Sequence, residues 1–106
     1  MVSFDEFKRI DLRVAEVKSC EPHPNADKLW VLRVDLGEEE RQLVAGLRGV
    51  YEAEQLIGRK IIIVANLAPA NLRGVDSEGM LLAAADEGVV SLLSLDKDLP
   101  PGAKVM

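Results

Sequence analysis

The chain has 106 residues, of which 48% are hydrophobic; this is enough for one domain with its own core and too apolar for a disordered chain. Its net charge of −5 argues against a non-specific nucleic-acid binder, which usually has a strong basic excess. One cysteine excludes an internal disulfide or a multi-cysteine zinc site within the chain, and no apolar run reaches the roughly 20 residues that span a bilayer. We therefore expect a cytoplasmic protein with no membrane segment, metal or cofactor.

The charge is uneven along the chain. Residues 8–73 contain 11 basic and 10 acidic side chains, whereas residues 74–106 contain two basic and six acidic ones. A local basic face in the middle of the chain is compatible with this distribution, and a uniformly basic surface is not.

The N-terminal segment begins with a helix signal. Ser3 and Glu6 have the spacing of a capping box, in which each side chain accepts a hydrogen bond from the other's backbone N–H. Phe4, Phe7 and Ile10 then share one face of a short helix. We interpret this helix as a plug over one end of the core rather than as a ligand contact.

Three strands are predicted next. Residues 11–21 alternate as a strand until Val17 falls out of step, which predicts a bulge near Ala15 and Glu16. The turn "EPHPNAD" leads to a second strand, "KLWVLRVDLG", and the turn "GEEE" leads to a third, "RQLVAGL".

The second half of the chain combines a short helix, three strands and one long loop. Residues 50–58 suit a helix that ends at Gly58, and "RKIIIVAN" is typical of a buried strand. Residues 66–80, "NLAPANLRGVDSEGM", form a long polar loop, and loops of this length without secondary structure are often functional or disordered. "GMLLAAAD" and "VVSLLSL" then pair through the two-residue turn "EG".

This order of elements predicts an all-β fold: a five-stranded OB-fold barrel with short helices and N- and C-terminal extensions, in a single domain over residues 1–106. A helix between the third and fourth strands is the connectivity of this Greek-key barrel. OB-folds bind oligonucleotides on one face and through the loops between strands 1–2 and 4–5. The long loop is therefore a candidate binding loop.

Several segments also resemble a known family. "DLRVAEV", "HPNADKLWVLRVDLGEE" and "IGRKIIIVANLAPANLRGVDSEGMLLAA" are similar to the tRNA-binding domain of many bacterial methionyl-tRNA synthetases, which also occurs as a free-standing tRNA-binding protein and in the EMAP II group. The similarity covers residues 4–106. It implies an OB-fold homodimer that recognises the shape of folded tRNA, with residues 1–10 and 95–106 at the dimer interface.

The resemblance also implies a non-catalytic module. In the synthetases this domain dimerises the enzyme and raises its affinity for tRNA, so we expect a free-standing protein or a part or partner of an aminoacyl-tRNA synthetase. The family usually has a lysine after "NL" and often a basic residue two positions after the proline, where this chain has Ala68 and Asn71. Phosphate contacts set the salt dependence of binding, so we expect weaker tRNA binding and a shallower salt slope.

Arg73 is the strongest single candidate for an RNA contact, because a guanidinium can hold a phosphate bidentately or stack on a base. Asn66 and Ser77 offer hydrogen bonds, and Met80 offers an apolar surface to a base. A strand-end cap, a turn closure and a core contact are the structural alternatives for these three. The complete set of predicted RNA-binding residues is Lys28, Trp30, Arg33, Arg48, Asn66, Asn71, Arg73, Ser77 and Met80.

Some of these residues have equally good structural explanations. Lys28 and Trp30 share a strand face if the strand is regular. Trp30 also suits a core or a dimer interface, and Arg48 suits a solvated surface charge. We expect a structural role for His23, because one histidine alone does not form a metal site, and a buried position for Cys20.

Two other classes of function remain open. Some relatives of this fold resemble secretion chaperones, so a protein-interaction or dimerisation domain is the alternative to tRNA binding. An enzyme is disfavoured, because the sequence shows no nucleophile beside a base and no glycine-rich phosphate loop. A basic groove beside Arg73 would favour tRNA, and an apolar groove would favour a peptide.

Overall fold

The computed structural model describes residues 1–106 as a curled antiparallel sheet with two hairpins and two one-turn helices. Neither helix is long or apolar enough to cross a membrane. The main sheet contains, in spatial order, β3 (Glu40–Ala45), β2 (Trp30–Asp35), β1 (Leu12–Pro22), β4 (Lys60–Val64) and β7 (Met80–Leu81). Strand β10 (Lys104–Val105) pairs with β1. This is the predicted OB-fold-like architecture, a half-barrel of five antiparallel strands. In chain order the elements are α1 (Phe4–Phe7), β1 (Leu12–Pro22), β2 (Trp30–Asp35), β3 (Glu40–Ala45), α2 (Ala53–Leu56), β4 (Lys60–Val64), β5 (Ala70–Leu72), β6 (Val75–Ser77), β7 (Met80–Leu81), β8 (Ala83–Asp86), β9 (Val89–Leu92) and β10 (Lys104–Val105).

Helix α1 begins with the predicted capping box. Ser3 N–H donates to Glu6 Oε1 and Glu6 N–H donates to Ser3 Oγ, both at 3.1 Å. The hydrogen bond from Ser3 N–H lowers the pKa of the Glu6 carboxyl. The interpretation of α1 as a core plug is wrong, because none of its residues is buried and Phe4 is 73% exposed.

Strand β1 is the centre of the sheet. It pairs with β4 in its first half and with β2 in its second half. Its register shifts between Val17 and Ser19, further along the strand than the predicted bulge near Ala15 and Glu16. The bulge falls where β1 leaves β4 and continues beside β2 alone, so the change of partner determines its position.

The core lies inside the curl of the sheet. Strands β2, β3 and β4 and helix α2 each contribute fully buried aliphatic side chains, and burying each one contributes roughly 1.5–3 kcal/mol. The indole of Trp30 joins this cluster. The largest fully buried side chains include Leu32, Leu43, Leu56, Ile61 and Ile63.

The C-terminal segment packs on its own barrel. Gly102 N–H donates to Val14 O at 2.7 Å, next to the pairing of β10 with β1. Lys60 Nζ lies 2.6 Å from both Asp98 Oδ1 and Leu99 O. The segment therefore packs against its own chain and contributes to the stability of the single domain.

The long loop of residues 66–80 contains a hairpin of its own. Strands β5 and β6 pair across a two-residue turn in which Arg73 has φ 53° and Gly74 has φ 97°. Positive φ at both central residues is type I′ geometry, which matches the twist of a hairpin. The expectation of a loop without secondary structure is therefore wrong.

Strands β8 and β9 form the hairpin predicted at the turn "EG", with positive φ at Glu87 and Gly88. This hairpin is a separate two-stranded sheet in which Val89 is exposed. Leu92 anchors it, because its side chain is buried and its N–H donates to Tyr51 Oη at 3.1 Å. The Leu92 hydrogen bond also lowers the pKa of the Tyr51 phenol.

We expect Gly102→Ala to destabilise the domain more than Gly88→Ala. Both glycines have left-handed φ, +91° and +81°, which costs a non-glycine residue about 1–2 kcal/mol. A Cβ on Gly102 would also lie 2.3 Å from Leu36 O, whereas a Cβ on Gly88 would meet nothing within 4 Å. Urea denaturation of both variants measures the difference in the free energy of unfolding. Equal losses would show that the backbone around Gly102 shifts away from Leu36 O without an energetic cost.

Candidate nucleic-acid interface

A groove of about 580 Å³ lies between the outer face of the sheet and the β5–β6 hairpin. On its floor, Glu21 and Arg33 occupy the strand positions next to the buried Cys20 and Leu32, so they face outward. Its wall is the hairpin itself. The groove therefore occupies the face and the loops with which OB-folds bind their ligands.

The β1–β2 loop holds the tip of the hairpin through two side chains. His23 Nε2 lies 2.8 Å from Leu72 O, and His23 Nδ1 accepts a hydrogen bond from Asn25 N–H at 2.9 Å. Because Nδ1 accepts, Nε2 bears the proton and donates to the Leu72 carbonyl. Asn25 Nδ2 donates to Arg73 O at 3.1 Å. His23 is only 4% exposed, so it has the structural role that the sequence predicted. We call these contacts the loop tether.

Side chains also hold the base of the hairpin against β3. Gln42 Nε2 donates to Asp76 O at 2.9 Å, and Val44 N–H donates to Ser77 Oγ at 3.0 Å. Ser77 Oγ in turn donates to Gly79 O at 2.9 Å. The Ser77 hydroxyl is buried and both accepts and donates a hydrogen bond within the domain. We therefore leave Ser77 out of the proposed RNA-binding surface.

The tip of the hairpin presents Arg73 to solvent without an ion pair. Asn71 supports the turn from below, because its Oδ1 accepts from Gly74 N–H at 3.0 Å and its Nδ2 donates to Asp76 Oδ1 at 2.9 Å. A lysine at position 71 could not accept the Gly74 hydrogen bond. Asn71 is therefore a structural residue in this chain, as well as a member of the groove wall.

Lys28 and Arg48 form a second cationic region next to the loop tether. Arg48 N–H donates to Lys28 O at 3.3 Å, and the Arg48 guanidinium lies 5.3 Å from the centre of the Trp30 ring. Trp30 is buried, and its Nε1 donates to Tyr51 O at 2.9 Å, so the indole belongs to the core. Lys28 and Trp30 do not share a strand face, because β2 begins only at Trp30.

Asn66 and Met80 lie elsewhere, beside α1. Asn66 Nδ2 donates to Arg9 O at 2.6 Å, and its Oδ1 accepts from Asp11 N–H at 2.8 Å, so this side chain ties the N-terminal segment to the end of β4. Met80 is 47% exposed and belongs to a different groove from the one beside Arg73. We call it the α1 groove; its hydrophobic lining residues are Val2, Ile10, Val64, Leu67 and Met80.

The groove beside Arg73 is polar and bears both signs of charge. Arg33 lies 3.5 Å from Glu40, and Glu21 and Asp76 add two carboxylates to the lining. Val31 and Val75 are its only hydrophobic members. The groove is thus neither basic, as tRNA binding would favour, nor apolar, as peptide binding would favour.

The structure offers no group of three or more His, Cys, Asp or Glu side chains that could hold a metal ion. Burial raises the pKa of the Cys20 thiol to about 11, so it is not a reactive thiolate near neutral pH. The sequence analysis missed the positioning roles of Asn25 and Gln42. Only the motif "HPNAD" hinted at Asn25, and nothing local marked Gln42, whose partner lies in the hairpin.

Together these features define an OB-fold-like domain whose two candidate binding loops are joined by hydrogen bonds. Residues 12–104 match the family described as "Putative tRNA binding domain". The match covers nearly the whole chain, and the chain belongs to this family.

The relatives include synthetases and a chaperone. The methionine–tRNA ligase of Methanococcus maripaludis (strain C5) is 53% identical over 105 residues, and the alignment covers 99% of this chain and 16% of the ligase. A MetRS-related protein from Pyrococcus horikoshii has a TM-score of 0.94 and 39% identity, covering 100% of this chain and 98% of that one. The chaperone CsaA from Bacillus anthracis has a TM-score of 0.89 and 33% identity, covering 100% and 99%. The chain therefore spans only a small part of the curated ligases that it matches.

We expect His23→Ala to loosen the hairpin and to lower the free energy of unfolding by about 1–3 kcal/mol, because the buried imidazole makes two hydrogen bonds that each contribute roughly 0.5–1.5 kcal/mol. Hydrogen exchange of the amides in residues 70–77 should become faster. Asp27→Ala is the control, since Asp27 is exposed in the same loop and takes no part in the tether. Unchanged exchange in His23→Ala would mean that the tether does not hold the hairpin.

Proposed function

We propose that this domain binds tRNA by the shape of the folded RNA, through the β1–β2 loop and the β5–β6 hairpin. The observation that carries the proposal is membership of the tRNA-binding domain family over residues 12–104. The geometry supports it, because the loop tether links Arg73 to the loop that contains Lys28, and Lys28 contacts Arg48. These three cations form no ion pair and are free to meet phosphates.

The mode of binding follows from what the surface lacks. Aromatic residues make up 4% of the chain, the indole of Trp30 is buried, and the exposed Phe4 and Phe7 belong to α1, so the β1–β2 loop and the β5–β6 hairpin offer no platform on which several bases could stack. Folded RNA is recognised instead by its shape, through phosphates and 2′-hydroxyl groups. Arg33 extends the candidate surface along the groove floor, although its contact with Glu40 reduces its net attraction for a phosphate.

We further infer that the domain acts as a cytoplasmic homodimer, within or alongside an aminoacyl-tRNA synthetase, and does not itself catalyse aminoacylation. The similarity to a segment of methionine–tRNA ligases supports the synthetase context. The α1 groove supports a dimer that involves residues 1–10, since exposed apolar patches mark interaction surfaces. In the proposed interface, residues 95–106 contribute side chains such as Leu99, which is 45% exposed. Two modest sites on one dimer would gain affinity for a single large ligand.

The likeness to the chaperone CsaA favours a second candidate function, the binding of unfolded peptides. The groove beside Arg73 does not suit an apolar peptide, because its lining is polar and charged. A peptide would instead occupy the α1 groove. Competition between tRNA and an unfolded peptide for the same protein distinguishes the two functions.

We expect Arg73→Ala to reduce tRNA affinity by about 1–3 kcal/mol, the range for a hydrogen bond to a charged group. Fluorescence anisotropy with labelled tRNA at two salt concentrations measures it. Arg59→Ala is the matched control, because it removes a guanidinium that forms no ion pair and lies outside both the proposed RNA-binding surface and the proposed dimer interface. If both substitutions lower the affinity equally, Arg73 contributes only through its positive charge and makes no specific contact with the RNA.

The same titration tests the effect of Ala68, which stands where the family usually has a lysine. Ala68→Lys should raise affinity and steepen the dependence of log K on log salt by roughly 0.7–0.9, the effect of one added phosphate contact. A DNA duplex of equal charge should compete poorly with tRNA. Failure of the wild-type domain to bind tRNA at low salt would refute the proposed function.

We expect Ile10→Glu to convert the proposed dimer to monomers, because it places a charge in the α1 groove. Sedimentation velocity measures the change, and Val50→Glu is the control at a similarly exposed apolar residue outside that groove, 47% against 44% exposed. Deletion of the C-terminus is a poorer test, since β10 stabilises β1 of its own chain. A variant Ile10→Glu that remains dimeric would exclude the N-terminal interface.

A further inference from the structure

We propose that the groove beside the hairpin receives hydrogen-bond donors of RNA, and that Glu21 is a specificity-determining residue that accepts from them. The donors are ribose 2′-hydroxyls or the amino groups of unpaired bases. This inference rests on the proposed tRNA binding and assigns the part of the ligand that enters the groove.

The charge of the groove argues against a phosphate inside it. Its lining holds the carboxylates of Glu21 and Asp76, and its one cation, Arg33, already lies 3.5 Å from Glu40. A phosphate in this space would face two like charges with little compensation. The ionised carboxylates, in contrast, can only accept hydrogen bonds, so they suit a ligand that donates.

The free cations lie outside the lining of the groove. Arg73 is at the hairpin tip beside Gly74, which lines the groove, whereas Lys28 is in the β1–β2 loop that contains the loop tether and its carbonyl accepts from Arg48 N–H. A strand of RNA whose phosphates follow these cations can direct its sugars and base edges toward the groove. Phosphate contacts would then position the RNA, and contacts in the groove would discriminate among ligands.

Hydrogen bonding within the domain singles out Glu21. The Gln42 amide donates to Asp76 O, both ends of the Asn71 amide are used in the hairpin, and Asp76 already accepts from Asn71. Glu21 is exposed and has neither an ion pair nor a side-chain hydrogen bond. It is therefore the carboxylate in the lining whose two oxygens are both free to accept from a ligand, whereas Asp76 already uses one of its oxygens.

The size of the groove fits a small part of an RNA. Its volume of about 580 Å³ lies within the usual range for pockets that hold small ligands. Exocyclic amino groups such as cytosine N4 donate to carboxylates, and the 2′-hydroxyl is the donor that distinguishes RNA from DNA. One nucleotide at a loop or bend of folded RNA would supply either group.

The substitution Glu21→Gln tests the proposal by the sign of its effect. If Glu21 accepts a hydrogen bond, the variant should bind tRNA roughly 3- to 10-fold more weakly, because a charged acceptor is replaced by a neutral one. The salt slope should stay unchanged, because it reflects the number of phosphates neutralised. If Glu21 only repels the RNA backbone, the variant should bind more tightly. Tighter or unchanged binding would overturn the proposal.

Controls separate this inference from the proposed function. Glu54→Gln removes the same charge at an exposed position outside the groove and should not weaken binding. Thermal denaturation should show that Glu21→Gln is folded, as expected for an isosteric change at an exposed side chain. If wild-type protein does not bind tRNA, both proposals fail; if it binds and Arg73→Ala weakens binding but Glu21→Gln does not, only this one fails.

An all-deoxy strand of the same sequence identifies the donor. If the penalty of Glu21→Gln persists on the deoxy strand, Glu21 accepts from a base amino group. If the deoxy strand binds and shows no penalty while tRNA shows it, the donor is the 2′-hydroxyl. Both results support the proposed role of Glu21.

Discussion

The hydrogen bonds that attach the β5–β6 hairpin to the barrel are the constraint on which the candidate site depends. A two-stranded hairpin is marginally stable in water, and β5 and β6 have only three residues each. His23 and Asn25 hold the carbonyls at its tip, while Gln42 and Ser77 hold its base against β3. Without these contacts the groove would lose its wall and Arg73 its fixed position. The two loops are therefore joined into one structural unit, so a substitution in either loop is expected to affect the other.

Much of the barrel could be predicted from local patterns in the sequence. The main strands follow runs of apolar residues, the capping box at Ser3 is local, and the turn at Glu87 and Gly88 is typical of a hairpin. The bulge in β1 was misplaced because its position depends on where one strand changes partner, which alternation within that strand does not encode. The β5–β6 hairpin was missed because its strands have only three residues each and little apolar alternation.

The site was harder to predict than the fold, because a polar residue in a loop looks the same whether it binds a ligand or completes the structure. Asn66 bonds to residues more than fifty positions away, and Ser77 to one that is 33 positions away. Only the folded chain identifies such partners. The nine candidate residues consequently divide among the hairpin tip, the groove, the Trp30 region, the α1 groove and the interior.

The distribution of charge explains how an acidic chain can still be suited to RNA. Five of the 13 basic side chains are in ion pairs, and of the eight that are not, Arg73, Lys28 and Arg48 lie on the proposed RNA-binding surface. With a net charge of −5 and three free cations on this surface, little counterion release is expected, so non-specific attraction to any nucleic acid should be weak. Carboxylates in the groove weaken that attraction further, and they help only a ligand whose donors reach them. In the proposed mode of binding, such a surface has lower affinity but higher discrimination: a folded RNA that fits both the free cations and the acceptors in the groove would be retained, whereas a regular duplex that presents only phosphates would not.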